Sequence, residues 1–100
     1  MKICIIGATG RMGQTIINET MQDLKLELVS GYGNHNGIEF GIDLGEIATG
    51  VKNNILTSKT LKEAIKKSDI VIDFSSPDLS LQAAEIAANE KKIFVSGTTG

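Results

Sequence analysis

The chain has 100 residues, enough to bury one real core and too few for two. Its hydrophobic content of 41% and formal net charge of −2 are those of an ordinary soluble protein. Lys and Arg are scattered, which argues against nucleic acid as a partner. No apolar run approaches bilayer-spanning length and no signal-peptide pattern precedes the first apolar stretch, so no membrane association and a cytoplasmic localisation are expected.

The apolar run Ile3–Ile6 predicts a strand, with the single cysteine, Cys4, as a buried structural thiol. It leads directly into Gly7-Ala8-Thr9-Gly10-Arg11-Met12-Gly13. Met12, Ile16, Ile17, Met21 and Leu24 then recur at helical spacing. Strand, glycine-rich turn and helix in that order form the device that seats a dinucleotide pyrophosphate on a helix N-terminus. Gly7 suits a sharp exit from the strand, Gly10 a close approach of backbone to phosphate, and Gly13 tight packing of helix on strand. The glycines lie at 7, 10 and 13, with Thr9 in place of the second fingerprint glycine, so the turn is a variant of G-x-G-x-x-G.

Leu26–Ser30 predicts a second strand ending at Gly31. The stretch to Asn54 holds six glycines and little pattern, apart from a single helical turn over Leu44–Ala48. Asn54–Thr57 predicts a short third strand. Thr60-Leu61-Lys62-Glu63 has the form of a capping box and opens a helix. Ile70–Phe74 is a near-continuous apolar run of the kind found in central parallel strands. Ser76-Pro77-Asp78 starts the next helix, with Ser76 as a cap rather than a ligand. Ile93–Ser96 predicts the last strand before Gly97-Thr98-Thr99-Gly100.

Strands alternating with helices argue an α/β fold with a doubly wound parallel sheet. Ligands of such sheets bind beyond the carboxyl ends of the strands, where the strand order reverses. Four segments qualify. Gly7–Met12 would hold a pyrophosphate, and residues 31–36 would face the adenosine ribose. Residues 74–76 and 97–99 would border the nicotinamide, with hydroxyls from Ser75, Thr98 and Thr99.

Gly7-x-x-Gly10-Arg11-Met12-Gly13, Gly41-x-Asp43-x-Gly45-Glu46, Ile72-Asp73-Phe74-Ser75-x-Pro77 and Gly97-Thr98-Thr99-Gly100 occur in that order. Together they closely resemble the N-terminal half of the dihydrodipicolinate reductases, over the whole chain. The resemblance implies a Rossmann-like cofactor domain over residues 1–100. It also implies hydride transfer from NADPH or NADH to a cyclic imine dicarboxylate, giving tetrahydrodipicolinate in lysine and diaminopimelate biosynthesis. By position, Gly7, Ala8, Thr9, Gly10, Arg11 and Met12 would contact the pyrophosphate and adenosine half. Phe74 and Ser75 would border the nicotinamide ribose, Gly97 and Thr98 the nicotinamide, and Thr99 would also reach substrate.

The pattern departs from the family in two places. Residues 31–36 carry no carboxylate for the adenosine ribose, and Arg11 offers a cation to a 2′-phosphate, which together lean towards NADPH or dual use. His35, the only histidine, reads as a solvated loop residue. The family's His-His-x-x-Lys catalytic cluster and its substrate and homotetramerisation domain would lie beyond Gly100. The expectation is therefore a cofactor-binding part, without metal or catalytic residues and without turnover of its own; the nine lysines read as solvent-facing or element-end residues.

Other reductases with a Gly-Ala-Thr-Gly-x-x-Gly turn are the nearest rivals. Extended short-chain dehydrogenases need Tyr-x-x-x-Lys, yet Asn36 stands at that spacing from Tyr32. Aspartate-semialdehyde dehydrogenases need a downstream nucleophilic cysteine, and Cys4 is misplaced for it. A non-catalytic nucleotide-sensing module is the remaining alternative.

Overall fold

The computed structural model describes residues 1–33 and 39–97. Strands β1 (Lys2–Ile6), β2 (Glu27–Tyr32), β3 (Ile70–Asp73) and β4 (Ile93–Ser96) form one sheet of order β2-β1-β3-β4, parallel throughout. Helices α1 (Arg11–Gln22), α2 (Leu44–Thr49), α3 (Leu61–Lys66) and α4 (Pro77–Asn89) cover its two faces. No helix among the described residues is long and apolar enough to cross a membrane.

The pleat sorts the apolar residues of each strand to opposite sides. Ile3, Ile5 and Leu28 pack with Ile17 of α1 and Leu44 of α2 on one face. Cys4, Ile6 and Val71 pack with Leu61, Ala64 and Ile65 of α3 and Leu79, Ala83 and Ala87 of α4 on the other. This is the doubly wound arrangement expected from the alternation of elements. The strand order reverses between β1 and β3, and their carboxyl ends are joined there by the Phe74 N–H donating to the Ile6 carbonyl at 3.0 Å.

Helix starts follow the sequence signals. Thr60 Oγ1 accepts from the Glu63 N–H at 3.2 Å, and Ser76 Oγ accepts from the Leu79 N–H at 3.3 Å. Asp43 caps α2 by accepting from the Glu46 N–H at 2.9 Å, and its carboxylate also receives the N–H groups of Asn53 and Asn54. Burial favours the neutral form of Asp43. The N–H donors of Glu46, Asn53, Asn54 and Gly45 outweigh it and hold the carboxyl below the usual carboxylate range. The Gly41–Glu46 motif therefore works as a loop staple. Cys4 is fully buried, and burial pushes its thiol up to about 12 despite the Ser30 hydrogen bond and the Lys67 charge, in keeping with a structural role.

Three expectations are corrected. β2 does not stop at Gly31 but runs to Tyr32, because Gly31 lies under α2: a Cβ there would stand 2.9 Å from Leu44 Cδ1 and 3.2 Å from the Ile5 carbonyl oxygen. Asn54–Thr57 makes only isolated bridges, parallel between Gly31 and Thr57 and antiparallel between Asp43 and Leu56. Asn54 adopts φ 63°, which breaks an extended run before it can pair. On α1 the buried line is Gly13, Ile17 and Thr20, while Met12 and Met21 lie on the exposed flank and Leu24 falls outside the helix. The close approach at Gly13 turns that narrower face towards the sheet.

Candidate functional site

The carboxyl ends of the four strands form the rim that the sequence marks. Gly7 leaves β1 with φ 81°, a left-handed conformation that favours glycine. The N–H groups of Gly7 and Ala8 both donate to the Tyr32 carbonyl, at 2.8 and 2.9 Å, which binds the turn to the end of β2. Ala8 has no exposed surface and packs in the α1-side core. These two residues thus shape the turn, and their N–H groups are engaged within it. Gly13 fits as expected: a Cβ there would fall 2.2 Å from the Gly7 carbonyl oxygen, so only glycine lets α1 reach the strand end.

Gly10 is the N-cap of α1 and supplies no side-chain cap, whereas α2, α3 and α4 are capped by Asp43, Thr60 and Ser76. The N–H groups of Arg11, Met12 and Gly13 have no protein acceptor among the described residues. Three donors at the positive end of a helix dipole suit a phosphate group, and the first turn carries no acidic residue to repel one. Arg11 is exposed and shares a groove with Gln14, Thr15, Asn18 and Ala48. Met12 is exposed beside it.

At the other side of the reversal, Phe74, Ser75 and Gly97 are brought together by Asp73. This carboxylate has no exposed surface. Its Oδ1 accepts from the Ser75 N–H at 3.1 Å and from the Ser75 hydroxyl. Its Oδ2 accepts from Ser96 Oγ at 2.9 Å, and its main-chain carbonyl accepts from the Gly97 N–H at 2.8 Å. The flat ring that Gly97 accommodates is Phe74: a Cβ on Gly97 would stand 2.1 Å from Phe74 Cε1. Thr98, Thr99 and His35 lie outside the described residues.

Two residues escaped the sequence reading. Asp73 was visible only as part of a motif; a carboxylate closing an otherwise apolar central strand was the available signal. Glu39 lies beyond residues 31–36, where a ribose acid is expected, yet its carboxylate accepts from the Thr9 hydroxyl at 2.8 Å. Nothing local in the sequence points to that contact. The lysines are exposed apart from the half-buried Lys92, and no cluster of metal-ligating side chains occurs among the described residues.

The profile of the family described as "Dihydrodipicolinate reductase, N-terminus" matches residues 1–100. The chain is 41% identical over 104 residues to the 4-hydroxy-tetrahydrodipicolinate reductase of Aquifex aeolicus (strain VF5), covering 100% of this chain and 38% of that protein. Among solved structures, the dipicolinate-bound dihydrodipicolinate reductase of Paenisporosarcina sp. TG-14 superposes with a TM-score of 0.76 at 25% identity, over 100% of this chain and 38% of that one. The NADP-bound aspartate semialdehyde dehydrogenase of Candida albicans gives a TM-score of 0.77 at 17% identity, over 98% of this chain and 29% of that one, a likeness of fold alone. The chain therefore spans about two fifths of the length of the curated relatives it matches. The turn after β1, the Asp73-Phe74-Ser75 strand end and the full-length profile match agree: the chain belongs to the dihydrodipicolinate reductase family, of which it carries the N-terminal domain.

Proposed function

We propose that residues 1–100 form one dinucleotide-binding unit, the NADH- or NADPH-binding part of a reductase that reduces a cyclic imine dicarboxylate to tetrahydrodipicolinate. The observation that carries this reading is the uncapped N-terminus of α1 beside the Gly7–Gly13 turn, with three N–H donors that have no protein acceptor among the described residues. Gly10 and the main-chain N–H groups of Arg11 and Met12 bind the pyrophosphate, while the Arg11 guanidinium serves the 2′-phosphate of NADPH; Gly7 and Ala8 hold the turn in shape, and Thr9 lies between the turn and the adenosine ribose. Phe74, Ser75 and Gly97 border the nicotinamide half, with Thr98 and Thr99 adjoining them in sequence and Thr99 reaching substrate. The cofactor, when bound, supplies the hydride.

Proton delivery and the clamp on the two substrate carboxylates belong, on this reading, to the part of the relatives that this match does not cover. The family resemblance also supports a homotetramer working in the cytoplasm.

Gly10→Val tests the site. Calorimetric titration with NADH and NADPH is expected to show binding to the wild type and none to the variant, while circular dichroism stays unchanged. Unaltered affinity in Gly10→Val would remove the phosphate-turn assignment. Oxidation of NADH or NADPH by the 100-residue chain with the cyclic imine would overturn the division of labour.

A further inference from the structure

Glu39 lies seven residues past the end of β2 at Tyr32, yet its side chain returns to that strand end. A Cβ added to Gly33, the first residue after β2, would stand 2.6 Å from Glu39 Cβ and 2.9 Å from Glu39 Oε1. Glu39 therefore fills the space that a side chain at position 33 would occupy. Gly33 has no left-handed φ, so its backbone conformation does not demand glycine; the room is taken by Glu39. The carboxylate is also fixed to the phosphate turn. Thr9 Oγ1 donates to Glu39 Oε1 at 2.8 Å, and the Thr9 carbonyl is itself held by Gln14 Nε2 at 2.9 Å.

In open parallel sheets that seat a pyrophosphate on the first helix, the adenosine ribose lies at the end of the second strand, where a carboxylate accepts from its hydroxyls. We infer that Glu39 is the specificity-determining residue of this chain: it takes the place of an acid directly after β2 and biases the site towards the dinucleotide with a free 2′,3′-diol, NADH. This rests on the dinucleotide reading above. An ionised carboxylate has about four acceptor sites on its two oxygens and accepts from several donors at once, ribose hydroxyls among them. A 2′-phosphate brings about −1.5 to −2 charges against that carboxylate and has few protons to donate to it. Arg11 is the opposing charge, so the selectivity is a balance that Glu39 tilts.

The test is the ratio of Kd for NADPH to Kd for NADH, measured by titration of the wild-type chain and of Glu39→Gln. The amide keeps an oxygen for Thr9, so the turn retains its hydrogen bond while the charge is lost. The ratio is expected to fall by about tenfold, the size of one charge-assisted contact. ADP-ribose and its 2′-phosphate, which lack the nicotinamide, should show the same fall and so locate the effect at the adenosine ribose. A double variant, Gly33→Glu with Glu39→Ala, returns a carboxylate to the vacated space and should restore the ratio. Binding of both dinucleotides with an unchanged ratio in Glu39→Gln would overturn the inference and leave the cofactor site standing. No binding of either dinucleotide to the wild type would overturn both.

Discussion

Ser96 on β4 donates to the buried carboxylate of Asp73 on β3 at 2.9 Å, and through that bond two neighbouring strand ends are held in register. The same carboxylate holds Ser75, so the segments that border the proposed nicotinamide site share one anchor.

Asp73→Asn should therefore loosen that half of the site. An amide has one accepting oxygen and a donor group, and it cannot accept from both Ser75 and Ser96 as the carboxylate does. A buried polar group left without its partner costs about 1–3 kcal/mol. Urea unfolding should register that loss. Affinity for NADH should fall while affinity for ADP-ribose, which lacks the nicotinamide, holds. Equal losses for the two ligands would mean that Asp73 supports the fold in general.

Gly97→Ala places a methyl group where the Phe74 ring stands. The ring has to move, and the rim of the nicotinamide site moves with it. The expected outcome is about tenfold weaker NADH binding, roughly 1.4 kcal/mol. Adding Phe74→Leu should recover part of the loss, and a double-mutant cycle measures the coupling.

Arg11→Ala should weaken NADPH more than NADH, because only NADPH carries the 2′-phosphate. A charge-assisted contact of this kind is worth about 1.5–3 kcal/mol, or roughly ten- to a hundredfold in affinity. Arg11 is exposed, so salt should narrow the difference. Titrations at low and high ionic strength check both statements. Equal losses for both cofactors would give Arg11 to the pyrophosphate.

Asp43 and Cys4 shape opposite ends of the pH profile. The Asp43 carboxyl is held below its ordinary value, so its contribution is present above the unfolded pKa of about 3.9 and is lost as pH falls through the folded value. Asp43→Asn should flatten the acid limb of a urea-midpoint profile. The Cys4 thiol is pushed up to about 12, so its contribution is complete below the unfolded pKa of about 8.5 and declines as pH rises towards the folded value. Cys4→Ala should remove that alkaline decline, and native Cys4 should react with thiol reagents only on unfolding.

Most of the fold was legible because its signals are local. Thr60 and Ser76 announce their helices, and Ile3–Ile6 and Ile70–Phe74 read as buried strands where β1 and β3 are found. Gly7 and Gly13 were readable because a backbone turn and a close packing contact each demand glycine. What stayed hidden depends on distant partners. Gly31 read as a strand end because its real constraint is the Leu44 side chain above it. Asn54–Thr57 looked like a strand because the competing staple at Asp43 lies ten residues upstream of the Asn53 N–H it captures. Glu39 was overlooked for the same reason: it reaches Thr9 across 30 residues.

Among the described helices, α1 alone has no side-chain cap, and this has a kinetic consequence. The amide protons of Arg11, Met12 and Gly13 have no protein acceptor among the described residues, whereas those of Gly7 and Ala8 are locked on Tyr32. Hydrogen exchange at the first three needs no bond to break, while at the other two it awaits opening of the turn. A dinucleotide seated there would supply the missing acceptors. The first turn of α1 would then pass from a fast-exchanging segment to a protected one, recording occupancy at the very atoms that hold the phosphate.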